Sequence, residues 1–224
     1  MKRLFCSLLG CLFCLPLPSP AQEERPRPRS VMRPVLRGTA YAVSTRKPEA
    51  TQVAERILRA GGNAFDAAVA GQAALAITDA ASNGVGSDAC ILIYDARSRQ
   101  VFSINAEGTA PKLATIEWYK QNAGGKIPAS DGLLSASLPG VVDAWYLLLD
   151  RWGTMTFAQV LQPAIDLAEQ GFPLSEGLAG AINGSKKLRK YPSSMKVYFP
   201  SGQAPRAGDS PPRSPSSRWS ESRS

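Results

Sequence analysis

Apolar residues recur at helical spacing directly after Pro48, where Ala50, Val53, Ala54, Ile57 and Leu58 fall on one face. Gly61-Gly62 then supplies a left-handed stop, so a helix is predicted from Pro48 to about Ala60. Glu55 and Arg59 form an i,i+4 pair on its outer face. Asn63 reads as the N-cap of a second helix, with Asp66 in its first turn and a small-residue run from Ala67 to Ile77. So many alanines let a neighbouring backbone come close, and this helix is expected to be buried against a sheet. Period-two alternation marks Ala40–Ser44 as a short strand. The apolar run Ala89–Tyr94 and Val101–Asn105 flank the polar connection Asp95–Gln100 and together read as a β-hairpin.

Beyond the hairpin, Gly124-Gly125 and Asp131-Gly132 mark loops, and Leu133–Ala136 is expected to be a short strand. Pro139-Gly140 opens a helix that carries Val141, Ala144, Trp145, Leu148 and Leu149 and stops near Gly153. Thr156-Phe157-Ala158-Gln159 is a capping box, predicting a helix that runs to Gln170 before Gly171. A last helix begins near Ser175. Lys186, Lys187, Arg189 and Lys190 are expected near its end, where cations suit the helix dipole. Several helices around at least two strands make the class mixed α/β (α+β).

The ends depart from this pattern and divide the chain into four parts. Residues 1–21 read as a secretory signal: Lys2 and Arg3, the short apolar run Leu4 to Leu17, then Ser19-Pro20-Ala21 as a cleavage site. Export to the periplasm or the extracellular space is therefore expected. The apolar run is interrupted by proline and shorter than the ~20 residues of a membrane helix, so no stable membrane span is expected. Residues 22–38 form a Pro/Arg-rich linker, residues 39–200 the folded segment, and residues 201–224 a tail. Of its 24 residues, 8 are Ser, 4 Pro and 4 Arg, a composition that predicts disorder and suggests a truncated or frameshifted reading from Ser201.

Charge adds less than its total suggests. The net is +8, but Ala40 to Pro200 holds 15 Lys/Arg against 14 Asp/Glu, so the excess lies in the two ends. Those arginines alternate with Pro and Ser and lack interleaved aromatic residues, so no nucleic-acid partner is expected. Cys6, Cys11 and Cys14 fall within the signal, which leaves Cys90 alone in the mature chain, read as a small buried hydrophobe and not as a reactive thiol.

Candidate chemistry is sparse. The chain contains no histidine, which removes the usual general base and the commonest metal ligand. Its acidic residues stand singly at helix starts and turns, giving no metal site and no glycosidase pair. Gly84–Asp88 is too short for a phosphate-binding loop and leads into a strand, so no cofactor is expected. Ser135 and Ser137 have no lysine close in sequence; Lys112 and Lys126 could reach them only through the fold. Thr154 and Thr156 read as a loop residue and a helix cap.

One ordered set of motifs resembles a known family. Glu49-Ala50-Thr51-Gln52-Val53, Ala60-Gly61-Gly62-Asn63-Ala64-Phe65-Asp66-Ala67-Ala68-Val69, Ala110-Pro111, Pro139-Gly140-Val141-Val142 and Gln162-Pro163-Ala164-Ile165-Asp166-Leu167-Ala168 are similar to the N-terminal part of gamma-glutamyltransferases, across about Thr39 to Pro200. The resemblance implies part of an αββα N-terminal-nucleophile hydrolase sandwich, made as a precursor that cleaves itself into two subunits. The new N-terminal threonine of the small subunit attacks a γ-glutamyl amide such as glutathione, with its own amine as base. That threonine belongs to a region beyond this chain, so no catalytic residue is assigned here. The implied partner is the small subunit or downstream segment, and the implied substrate of the completed protein is a small amide.

One position departs from the family. Glu107 stands where the transferases carry an arginine that grips the substrate α-carboxylate, which a second carboxylate would repel. Glu107 is therefore the candidate substrate-binding residue, with a solvated turn residue as its ordinary reading. The departure leaves two readings: a divergent amidohydrolase or acylase branch acting on other amides, or a substrate carboxylate held elsewhere. A separate alternative, from a different class, is a non-catalytic secreted binding module that retains the N-terminal half of the fold.

Overall fold

The computed structural model describes residues 37–127, 133–200 and 202–209. The signal, most of the linker and the end of the tail lie outside the described residues, as does the Asp131-Gly132 turn. The chain divides into two units, Met1–Ala42 and Val43–Ser224, and the folded segment belongs to the second.

Helix α1 spans Pro48–Arg59 and ends as its glycines require: Gly61 takes φ 93°, and the Gly62 N–H donates to the Ile57 carbonyl at 3.0 Å. Helix α2 spans Ala64–Thr78 behind the Asn63 cap. Strands β1 (Cys90–Asp95) and β2 (Gln100–Asn105) pair antiparallel, with Ile91 opposite Ile104 and Ile93 opposite Phe102. A short helix α3, Ile116–Asn122, is capped by Thr115. Helices α4 (Val141–Trp152) and α5 (Phe157–Gln170) meet at a sharp corner, and Thr156 with Gln159 forms the capping box of α5. Helices α6 (Glu176–Gly184) and α7 (Pro192–Tyr198) follow, with a 3-10 turn over Leu188–Lys190 between them. Among the described residues no helix is long and apolar enough to cross a membrane.

The main core gathers Ala50, Val53, Ala54 and Ile57 of α1, Val69, Ala70 and Ala74 of α2, Trp145 and Leu148 of α4, and Val160 and Ala164 of α5. Ile93 completes it from the hairpin, with Ile91, Phe102 and Ile104 packed alongside. The principal partners of α2 are α1, α5 and α4, so the expected helix-on-sheet contact is chiefly helix on helix. Gly71 and its alanine neighbours make this possible, because a Cβ at Gly71 would already touch Ala54.

Several expectations are corrected. Ala40–Ser44 is not a strand: alternation alone makes no ladder without a neighbouring edge, and Val43 instead packs on the helical core. Leu133–Ser135 is a 3-10 turn, not a strand. The pattern gave no warning of α3 or α7, whose seven residues each are too few to show a period. Helix α6 ends at Gly184 with no cation in its last turn, so Lys186, Lys187, Arg189 and Lys190 lie beyond it. Residues 202–209, assigned by composition to the tail, fold back. Leu174 N–H donates to the Asp209 carbonyl at 2.8 Å, and Gly208 N–H to the Leu174 carbonyl at 2.9 Å.

Candidate functional site

Three segments converge at the end of the hairpin where β1 begins and β2 ends. Ala106, buried, extends the ladder by donating its N–H to the Ala89 carbonyl at 2.8 Å. The Ser87 carbonyl in the glycine turn accepts from Gly140 and Val141 N–H at 3.2 and 3.1 Å, holding the first turn of α4 there. The Leu138 N–H donates to the Thr109 carbonyl at 3.0 Å, joining the approach to α4 to the chain after β2. The glycine turn, the segment leading to Ala110-Pro111 and the Pro139-Gly140 corner are far apart in sequence, and the fold makes them one patch.

The closeness of these backbones explains two glycines. A Cβ on Gly108 would overlap the Leu138 carbonyl oxygen, and one on Gly140 would overlap that of Ala106. At Gly140, φ is −114°, accessible to any residue, so the requirement is space and not backbone freedom. Gly140→Ala is expected to destabilise by about 1–3 kcal/mol, since the strand end and the helix start must move apart. Gly177→Ala, where nothing lies within 4 Å of the added Cβ, is expected to be neutral or stabilising by up to about 1 kcal/mol. Urea unfolding of the two variants checks the contrast.

Glu107 lies on this patch. Its backbone N–H donates to Asn105 Oδ1 at 2.9 Å, which turns the chain out of β2 and leaves the carboxylate exposed. The Cys90 thiol donates to Glu107 Oε1 at 3.8 Å across the hairpin. Cys90 is itself exposed, contrary to the expectation of a buried hydrophobe. Ile91 and Ile93 take the inward positions, and strict alternation sends Cys90, Leu92 and Tyr94 outward. Ser137 Oγ stands beside the Gly108 backbone.

A second cluster sits at the corner between α4 and α5 and explains the Asn63–Asp66 motif. Asn63 Oδ1 accepts from the Phe65 and Asp66 N–H groups, while Asp66 Oδ2 accepts from Asn63 N–H at 2.8 Å. Asn63 Nδ2 donates to the Trp152 carbonyl at 2.6 Å. Asp66, with no exposed surface, also accepts from the Thr154 hydroxyl at 2.6 Å, Thr154 N–H at 3.0 Å and Met155 N–H at 3.2 Å. Burial alone would push this carboxyl up. The Thr154 hydroxyl, then the Asn63, Thr154 and Met155 amides, outweigh it and hold the group below the ordinary carboxylate range. Thr154 and Thr156 thus serve as an Asp66-bound loop residue and the α5 cap.

Asp79 closes α2 in a similar way. It is buried, receives Asn83 Nδ2 at 3.1 Å, and pairs with Arg46 Nε at 3.4 Å and Lys47 Nζ at 3.5 Å. Lys47 also reaches Ser175 Oγ at 3.3 Å, so one lysine links the start of α1, the end of α2 and the cap of α6. Among the described residues no group of three or more His, Cys, Asp or Glu could hold a metal ion.

With this geometry in place, the relatives become informative. Residues 50–216 match the gamma-glutamyltranspeptidase family, and the chain belongs to that family. It is 32% identical over 219 residues to the glutathione hydrolase proenzyme of Bacillus subtilis (strain 168), covering 93% of this chain and 37% of the relative. It is 34% identical over 175 residues to the acylase ACY 1 proenzyme of Pseudomonas sp. (strain V22), covering 74% of this chain and 31% of that protein. The fold superposes on Helicobacter pylori gamma-glutamyltranspeptidase with a TM-score of 0.73 at 30% identity, covering 79% of this chain and 52% of that one. The architecture is accordingly a part of the N-terminal-nucleophile hydrolase fold, and the chain spans about a third of the length of the curated relatives it matches.

Proposed function

We propose that this chain is the N-terminal portion of an exported gamma-glutamyltransferase-like amidase precursor, inactive alone and completed by a downstream segment that brings the nucleophile. The observation that carries this reading is the match to proenzymes of which the chain spans about a third. The hairpin supports it. β1 and β2 form a two-stranded sheet, and Leu92, Tyr94 and Val101 on its outer face are 80%, 63% and 70% exposed. A hairpin of this kind is stable only when packed on at least one side, and here the second side and both edges remain open to further chain. Export rests on the charged, apolar and small-residue order of residues 1–21.

Glu107 favours one branch of this function. Its exposed carboxylate stands on the patch where the family places a cationic grip for the substrate's α-carboxylate. A site built this way suits amides whose acyl part lacks that carboxylate.

The test is reconstitution. The chain, and the same chain fused to the downstream portion of the B. subtilis relative, are assayed on a γ-glutamyl anilide and on a simple acyl anilide. The short chain is expected to show no turnover and the fusion to turn over the acyl anilide. Turnover by the short chain alone would overturn the dependence on a downstream nucleophile.

A further inference from the structure

The basic cluster that α6 does not use lies over a second core. Phe172, Leu174, Leu178, Ile182 and Phe199 form this core, with Leu188, Met195 and Tyr198 packed on it and Ile77 of α2 and Leu167 of α5 joining it to the main body. This ties α6, the 3-10 turn and α7 into one body. Asn183 Nδ2 donates to the Pro205 carbonyl at 2.8 Å, which brings the returning segment and Arg206 beside the end of α6. From Glu176 to Asp209 the chain carries six cations, Lys186, Lys187, Arg189, Lys190, Lys196 and Arg206, against two carboxylates, Glu176 at the start of α6 and Asp209, whose Oδ2 accepts from the Arg206 backbone N–H at 2.8 Å. All six are exposed.

Arg189 has a structural task, its guanidinium lying 4.1 Å from the centre of the Phe199 ring. Lys186, Lys190, Lys196 and Arg206 have none: among the described residues no carboxylate pairs with their side chains. Two half-exposed side chains, Tyr191 and Val197, each follow directly on one of these lysines. Unpaired like charges confined to one lobe of a nearly neutral body repel one another, an arrangement relieved by an anionic partner.

We propose that this lobe is a peripheral docking surface for an anionic lipid bilayer. Three features favour a bilayer over nucleic acid. The four available cations are mostly lysines, point charges on flexible stems that suit a diffuse sheet of headgroups better than the fixed fork of a base or phosphate contact. Tyr191 and Val197 offer the amphipathic and small apolar contacts that settle at headgroup depth. The lobe also lacks a row of exposed aromatic rings on which bases would stack. None of its cations belongs to the hairpin-end patch that carries Glu107, so docking and amide turnover are separately testable.

The experiment measures sedimentation of the full chain with vesicles of pure phosphatidylcholine and with vesicles containing phosphatidylglycerol, at low and high salt. Each basic residue near such a surface contributes roughly five-fold in partitioning, so the combined variant Lys186→Gln, Lys190→Gln, Lys196→Gln, Arg206→Gln is expected to bind the anionic vesicles at least about 100-fold more weakly. Its binding to neutral vesicles, which reads contacts other than charge, is expected to stay unchanged, as is its circular dichroism spectrum. High salt is expected to abolish the parent's preference for anionic vesicles. Any of three results would overturn the proposal: anionic binding that survives in the variant, binding lost instead on replacing Arg25, Arg27 and Arg29, or a parent chain that prefers a duplex oligonucleotide to anionic vesicles at equal salt.

Discussion

Asp66→Ala is expected to destabilise the folded segment by about 3–5 kcal/mol, the largest loss for any single polar side chain described above. The carboxylate accepts from Asn63, Thr154 and Met155 amides and from the Thr154 hydroxyl. Its removal leaves three backbone donors without this acceptor in a part-buried pocket, and each carries a desolvation cost of about 1–3 kcal/mol, partly relieved by relaxation and by water. For a domain of this size the melting temperature should fall by roughly 6–20 °C. Asp66→Asn keeps the shape and one acceptor oxygen but turns an NH2 group towards donors, so its effect should be about half as large. The dependence on pH gives a second handle. The folded carboxyl lies below its ordinary value, so its stabilisation is fully present above the unfolded pKa near ~4 and is lost as pH falls through the lower, folded value. Urea unfolding from pH 7 to pH 2 should show the difference between parent and Asp66→Ala shrinking only below about pH 4.

Glu107→Arg, made in the reconstituted fusion, is expected to shift preference towards γ-glutamyl substrates by about 30–100-fold. The exchange turns repulsion of an α-carboxylate into a charge-assisted pair, worth about 2–3 kcal/mol in sum at a site open to solvent. The exposed position of Glu107 leaves room for the larger side chain without repacking. The readout is the ratio of kcat/KM on the γ-glutamyl anilide to that on the simple acyl anilide, because a general loss of activity moves both together. A ratio unchanged within twofold would remove Glu107 from specificity altogether.

The sequence was most informative where a local rule and the tertiary structure agree. Helix α1 with its glycine stop, the Asn63–Asp66 cap, the capping box of α5 and the pairing of β1 with β2 follow from side chains within a few residues of one another. Where an expectation depended on a distant neighbour it went astray. Alternation at Ala40–Ser44 lacked an edge to pair with, Leu133–Ser135 was too short to declare itself, and Cys90 looked buried because its run is apolar on both faces. That same two-faced apolarity, with Leu92 and Tyr94 exposed, is the mark of a strand whose second covering is supplied by other chain. The candidate site was legible only in fragments. Ala110-Pro111 and Pro139-Gly140 stood out as motifs, but nothing local showed that Leu138 meets Thr109 or that Ser87 holds Gly140. Asp66 read as a helix-start acid, and its grip on Thr154 and Met155, 88 and 89 residues away, needed the fold.

The open hairpin also bears on timing. The core around Ile93 draws on α1, α2, α4 and α5, all of which leave the ribosome before any later segment, so this body can consolidate while synthesis continues. A strand edge that forms early and stays unpaired works as a template, and the first compatible strand to arrive sets its register. Covalent linkage gives a downstream segment a high effective concentration at that edge, whereas a second copy must arrive by diffusion. On the proposed reading the hairpin makes correct assembly a race that tethering wins, and separating the two parts would hand the advantage to self-association.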